Sequence, residues 1–359
     1  MTSRAALGEG IARWCSSATE VSVFSDGLFD RLATQIPFDG GFLAAVDPAT
    51  LLYTRAFRRG LPPEASRAFI ETELGVDDVN QLRHLVRTPT RVGWLDQATH
   101  GDRMSARRYR HAMHPYGLGD ELRVALVSDG SCWGLLCLHR ADAKAGFDAR
   151  DASMLAGIAP AIAGALRRAL VSGQARRCQA SDGPGVVVFN ADSSLHSSTP
   201  AAARWLDELA DLDRPERAQL PTVVVSVIER LTSPGPWDLE PASARVRAPS
   251  GRWLTVHASR LDDEQGSIAV VIEPTSPATL SPLIIAAFGL TGREGVVTQR
   301  LLAGLARKAI ASELQISLHT VNDHVKAVYD KTGVSSAGQL RAHLFDQAAA
   351  GRPTAASTP

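Results

Sequence analysis

The chain is poor in the features that would staple it, anchor it or give it chemistry. Among 359 residues there are four cysteines, Cys15, Cys132, Cys137 and Cys178, with no C-x-x-C pair. That spacing excludes a zinc ribbon and a disulfide framework, and fits reduced thiols. Net charge is lacking too: Lys plus Arg and Asp plus Glu number 38 each. A nucleic-acid surface must therefore be local. The longest apolar run, MLAGIAPAIAGAL from Met154, stops at Arg167 and Arg168, short of a membrane span. The opening MTSRAALGEGIARWC has no apolar signal core, so a soluble cytoplasmic protein is expected.

Catalytic and ligand-holding sets are also missing. No G-x-x-x-x-G-K-[ST] occurs, which argues against a nucleotide-driven switch. His100, His111 and His114 are the best metal or haem candidates, yet no carboxylate or cysteine completes a set around them. A phosphoacceptor receiver would need paired acids early and alternating strands and helices. Asp47 ends a strand pattern with only Glu9 usefully placed before it. No enzyme, metal or cofactor is expected.

What is present is globular. Hydrophobic residues make up 45% and charged residues 21%, and the length suits two or three domains. GGFLAAVD (Gly40 to Asp47) and LLYTRAFRR (Leu51 to Arg59) read as strands turning at Asp47-Pro48. LRVALVSDGSCWGLLCLHR (Leu122 to Arg140) reads as a hairpin about Asp129-Gly130. Cys132 and Cys137, five apart on that second strand, face opposite ways and suit packing, not a disulfide. A long helix follows, capped by Asp148 and running to about Val171. Hairpins flanked by helices make an α+β domain over residues 1–172.

SGQARRCQASDGPG (Ser172 to Gly185) reads as a linker. A second α+β unit spans 185–274. Two strands surround Asn190-Ala191-Asp192, a helix starts at Thr199-Pro200, and RWLTVHASRL and GSIAVVIEP supply two more strands. TSPATLSP is the next expected linker, and the tail over 349–359 is expected to be disordered.

Residues 283–348 read as an all-α domain of four helices. Thr291 and Glu294 form a capping box, with Gly304 at the helix end. A short helix from Ala306 to Leu314 buries Ile310 and Leu314, and Ser317 caps a third after a tight turn, as in a helix-turn-helix. Leu318, Val321, Val325, Val328 and Tyr329 form the buried stripe of that third helix. His319, Asn322, Asp323, Lys326 and Asp330 fall opposite. Gly333 closes it, and Ser336 caps a fourth carrying Leu340, Leu344 and Phe345.

The run LTGRE…LLAGLARKAIASELQISLHTVNDHVKAVYDKTGVSSAGQL resembles the DNA-binding domain of LuxR-type transcription regulators over roughly the last fifth of the chain. The resemblance implies that the third helix enters the major groove of double-stranded DNA. It places base-reading roles on Asn322, Asp323 and Lys326, and phosphate contacts on Ser317, His319, Thr320 and Lys331. His324 falls where the family has its usual histidine, packed beside the scaffold. Asn322 suits adenine, and Asp323 suits only cytosine N4. A fourth helix that pairs two subunits implies a homodimer, and the resemblance leaves room for a contact with RNA polymerase.

The N-terminal unit resembles a GAF-like sensor domain and the middle unit a PAS-like domain, by strand and helix order and by patches such as ELRVALVSDGSCWGLLCLHR. Both imply either a small-molecule effector or dimerisation. The first is expected to enclose a pocket between its sheet and the helices over 62–115. The reading is a sequence-specific DNA-binding transcription regulator with no membrane partner. The alternatives are a protein-interaction module, or a sensory protein without direct DNA binding. A sensory enzyme would need a further catalytic segment.

Overall fold

Two antiparallel hairpins organise the first sheet. β1 (Gly40–Val46) pairs with β2 (Tyr53–Arg59) after the Asp47-Pro48 turn, where Asp47 Oδ1 accepts from the Ala49 amide at 3.0 Å. β3 (Val92–Trp94) is short. β4 (Leu118–Ser128) and β5 (Ser131–Ala141) turn at Asp129 and Gly130, whose φ angles of 50° and 77° are both left-handed. That is the corner a two-residue hairpin requires. The strand order is β2-β1-β5-β4-β3. The protein is seen here as a computed structural model, which describes residues 10–11, 13–15, 21–172, 183–209, 220–233 and 242–340.

Accompanying this sheet are α1 (Val21–Ala33), α2 (Ala65–Leu74), α3 (Leu82–Leu85), α4 (Leu95–Ala98) and α5 (Ala149–Ser172). Asp148 caps α5 as expected, its Oδ1 accepting from the amides of Arg150 and Asp151 at 2.8 and 2.9 Å. Strand alternation gives the sheet two unlike faces. On one, Leu122 pairs with Leu138 and Val124 with Leu136, while Gly134 lies so close to Leu166 of α5 that a Cβ would meet it at 2.7 Å. On the other, Glu121 pairs with His139 and Arg123 with Cys137, all four buried.

The second sheet repeats the order. β6 (Gly185–Phe189), β7 (Leu195–Ser198), β8 (Ser243–Arg247), β9 (Trp253–Arg260) and β10 (Ile268–Pro274) stand as β7-β6-β10-β9-β8. α6 (Pro200–Leu209) starts under Thr199, whose Oγ1 accepts from the Ala202 amide at 3.3 Å. α7 (Thr222–Thr232) and β8 were not anticipated. The TVVVSVIERLT run is rich in β-branched residues, which favour strands. It folds as a helix because Val223, Val224, Val227 and Ile228 form one buried stripe.

The chain divides into two units, the first holding residues 1–173, 184–246 and 255–272. Most of both sheets therefore lies in one unit. Within it Arg245 of β8 grips buried Asp47 through its backbone amide and Nε, both 2.8 Å from Oδ2, and through Nη2, 2.6 Å from Oδ1, and Arg230 of α7 donates to the Thr50 carbonyl at 3.0 Å. The expected linker at 172–185 falls largely outside the described residues.

The second unit holds residues 174–183, 247–254 and 273–359. Here TSPATLSP proves to be helical, not a linker: α8 (Pro277–Ala287) starts under Ser276, whose Oγ accepts from the Thr279 amide at 3.2 Å. Pro277 at the first helical position is a helix-start signal. α9 (Gly292–Leu302), α10 (Arg307–Leu314) and α11 (Leu318–Thr332) pack around Val297, Leu301, Ile310, Ala311, Val321 and Val325. Ser336 Oγ accepts from the Gln339 amide at 3.1 Å, starting a fourth helix on buried Leu340. Leu344, Phe345 and the expected disordered tail lie outside the described residues. Among the described residues no helix is long and apolar enough to cross a membrane.

Candidate nucleic-acid interface and sensor interior

Local chemistry sets the three helices. Thr291 Oγ1 accepts from the Glu294 amide at 3.3 Å and Glu294 Oε2 from the Thr291 amide at 2.7 Å, completing the capping box. Gln315, at φ 54°, makes the left-handed corner between α10 and α11. Ser317 Oγ then accepts from the Thr320 amide at 3.0 Å and shares a bond of 2.9 Å with the Thr320 hydroxyl. α11 buries Val321, Val325 and Val328 as expected. Leu318 departs from the expected stripe, being 39% exposed at the first helical position, off the end of the core.

His319, Asp323, Lys326 and Asp330 are exposed, and Asn322 and His324 are half-buried. Asn322 and Lys326 are one turn apart, about 6 Å along the axis, so both can face a few consecutive base pairs. His319 Nε2 lies 3.6 Å from Asp323 Oδ2, so the acid already has a neighbour on its own helix. Lys331, given a phosphate role by resemblance, donates to Glu294 Oε2 at 2.7 Å and to the Gly289 carbonyl at 3.2 Å. Burial pushes the Glu294 carboxyl up, but Lys331 and the Thr291 amide outweigh that and hold it below its ordinary value. Lys331 thus braces the start of α9.

Pairing also sorts the cations. Arg300 Nε is 2.7 Å from Glu313 Oε1. Among the described residues of this domain, Arg293, Arg307, Lys308 and Lys326 have no carboxylate partner. Arg307 instead donates from Nη1 to Asn322 Oδ1 at 3.0 Å. The contact spans fifteen residues and two helices, and periodicity within either helix gives no sign of it.

The charged face of the first sheet is closed by α2 and by a π-helical turn over Tyr109–Met113. Arg123 Nη2 meets Glu73 Oε2 at 2.5 Å, and Arg108 Nε meets Glu121 Oε2 at 2.8 Å. The ring closes more loosely, Arg108 to Glu73 at 4.0 Å and Arg123 to Glu121 at 3.8 Å, with His139 3.9 Å from Glu121. Burial raises the Glu121 carboxyl, but Arg108 and Arg123 bring it below its ordinary value. Burial lowers His139 to about 4 despite Glu121. This ring occupies the face where a pocket was expected. One cavity in the 62–115 segment is an open cleft of about 550 Å³ lined by Asp96, Gly101, Asp102, Arg103, Met104 and Tyr109. His111 and His114 fall on the π-helical turn and the tighter turn after it, not on one α-helical face.

Residues 289–344 match the family model described as bacterial regulatory proteins, luxR family, and residues 25–166 match the GAF domain. No curated protein matches the chain. Among solved structures, the GAF domain from Acinetobacter phosphoenolpyruvate-protein phosphotransferase is 15% identical with a TM-score of 0.35, over 48% of this chain and 98% of that one. Escherichia coli SdiA is 15% identical with a TM-score of 0.27, over 88% and 86%. A Vibrio cholerae VqmA complex with ligand and DNA is 18% identical with a TM-score of 0.21, over 49% and 87%. Residues 289–344 are a LuxR-type helix-turn-helix domain and residues 25–166 a GAF domain, and the chain is a DNA-binding regulator with a sensor domain.

Proposed function

We propose that the protein regulates transcription by sequence-specific binding of double-stranded DNA, with α11 in the major groove. The carrying observation is the solvent face of that helix, where Asn322 and Lys326 stand one turn apart and Lys326 has no partner among the described residues. Base reading falls to Asn322 and Lys326. Phosphate contact falls to His319, to Lys308 at the start of α10, and to the capped amide end of α11 at Ser317 and Thr320. Asp323 contributes only where it accepts from cytosine N4.

In this reading the chain acts in the cytoplasm, without catalysis, as a homodimer, with a contact to RNA polymerase open to it. The GAF domain and the 185–274 sheet, read as PAS-like from its strand order, sense a small molecule or hold the dimer. Pairing suits the small number of free cations, since two copies double the phosphate contacts and make the second contact intramolecular. Selection of duplexes from a random pool by the full-length protein tests the reading. A pseudo-palindromic motif bound by a sedimenting dimer is expected. Recovery of no motif would overturn DNA recognition, and monomers on single half-sites would overturn the dimer.

A further inference from the structure

Arg307 and Asn322 come from different helices and meet at the solvent face of the domain, Nη1 to Oδ1 at 3.0 Å. A guanidinium has only donors. The atom of Asn322 that meets it must therefore be the oxygen, which leaves the Nδ2 amino group turned away. An asparagine that reads adenine needs both atoms, Nδ2 donating to N7 and Oδ1 accepting from N6. Here the oxygen is engaged, and its remaining lone pair lies beside a cation that disfavours another N–H donor. The pair therefore presents donors only, from the Asn322 amino group and the free guanidinium N–H groups. Asparagine is also uncharged, so Arg307 keeps its full positive charge for DNA, as it would not beside Asp323.

We propose that Arg307 is a specificity-determining residue of this regulator, forming with Asn322 a two-residue donor face that reads guanine where Asn322 alone would read adenine. Guanine is the base with two acceptors, O6 and N7, on its major-groove edge. The inference rests on α11 entering that groove and names what its first turn reads.

The test is selection from a random duplex pool by the full-length protein, followed by affinity measurements on single-base variants of the recovered site. Wild type, Asn322→Ala, Arg307→Ala and Arg307→Gln are compared. Arg307 is exposed and Asn322 half-buried, and circular dichroism checks that each variant folds. Wild type should select guanine at the position that Asn322→Ala randomises. Arg307→Ala should lower the guanine preference there about tenfold and raise adenine. Arg307→Gln, which keeps a donor toward Oδ1, should retain part of the preference. Adenine in the wild-type motif at that position would overturn the proposal, as would an Arg307→Ala motif unchanged from wild type. Both results leave DNA recognition standing. If wild type recovers no motif, DNA recognition itself falls and this proposal with it.

Discussion

The two sheets share one strand order, second-first-fifth-fourth-third, yet enclose different interiors. The first sheet turns Glu121, Arg123 and His139 toward Glu73 and Arg108, all buried. The second is lined by Val187, Phe189, Val256, Val270 and Ile272, with Trp205 of α6 also fully buried. Strand order decides which residues share a face, and the side chains at alternate positions decide what that face can hold. One order thus supports a buried ionic ring in one place and an apolar layer in the other.

The largest expected effect separates these interiors. Arg123→Ala removes the close partner of buried Glu73 and should destabilise by about 3–5 kcal/mol. Adding Glu73→Gln to Arg123→Met should recover most of that. The amide carbonyl still accepts from Leu82, and Arg108 keeps Glu121. In the second layer Trp205→Ala should cost a similar 3–5 kcal/mol through cavity formation, and no change of charge should restore it. Urea unfolding with hydrogen exchange to localise each loss checks both. A double variant as unstable as Arg123→Ala would break the contrast.

Protonation should sharpen it. His139 is lowered to about 4 by burial, with Glu121 opposing and Arg123 and Arg108 reinforcing. The stability tied to its neutral form is complete above its unfolded value near 6.5. It is lost as pH falls toward 4, by on the order of 3 kcal/mol. Replacing it with Leu should flatten that window in a urea midpoint series.

Glu229 of α7 runs the other way. Burial and nearby Glu71, opposed by Arg67, raise its carboxyl to about 7. The folded state binds the extra proton between about 4.5 and 7, so stability falls as pH rises through that window. Glu229→Gln should stabilise by on the order of 3 kcal/mol at most above pH 7 and by little at pH 4.5. Equal effects at both pH values would refute the assignment.

Much of this was legible in the sequence where the signal is local. The Asp129-Gly130 corner, the Asp148 and Ser317 caps, the Thr291-Glu294 box and the α11 stripe are local signals, and each is where it was expected except for exposed Leu318 at the start of the stripe. What was hidden depends on contacts distant in sequence. β4 was read only as one arm of a hairpin, although Glu121 and Arg123 alternate with Leu122 and Val124 along it. That alternation was a usable sign of a polar face, but only Glu73, Arg108 and His139 show it to be buried. TVVVSVIERLT became a helix against its β-branched composition, through tertiary packing. The Arg307–Asn322 bond exists only because α10 and α11 cross. The candidate site was thus visible as a stripe on one helix, and its partner on the neighbouring helix was not.

The account turns on α11 reading base edges, and fluorescence anisotropy of the full-length protein on its selected duplex tests that most directly. Affinities of wild type and Lys326→Ala are compared on the selected site and on a set of single-base variants. Wild type should discriminate among them. Lys326→Ala should bind roughly tenfold more weakly and lose preference at one position per half-site. A folded Lys326→Ala variant that matches wild type in both affinity and base preference would contradict the account.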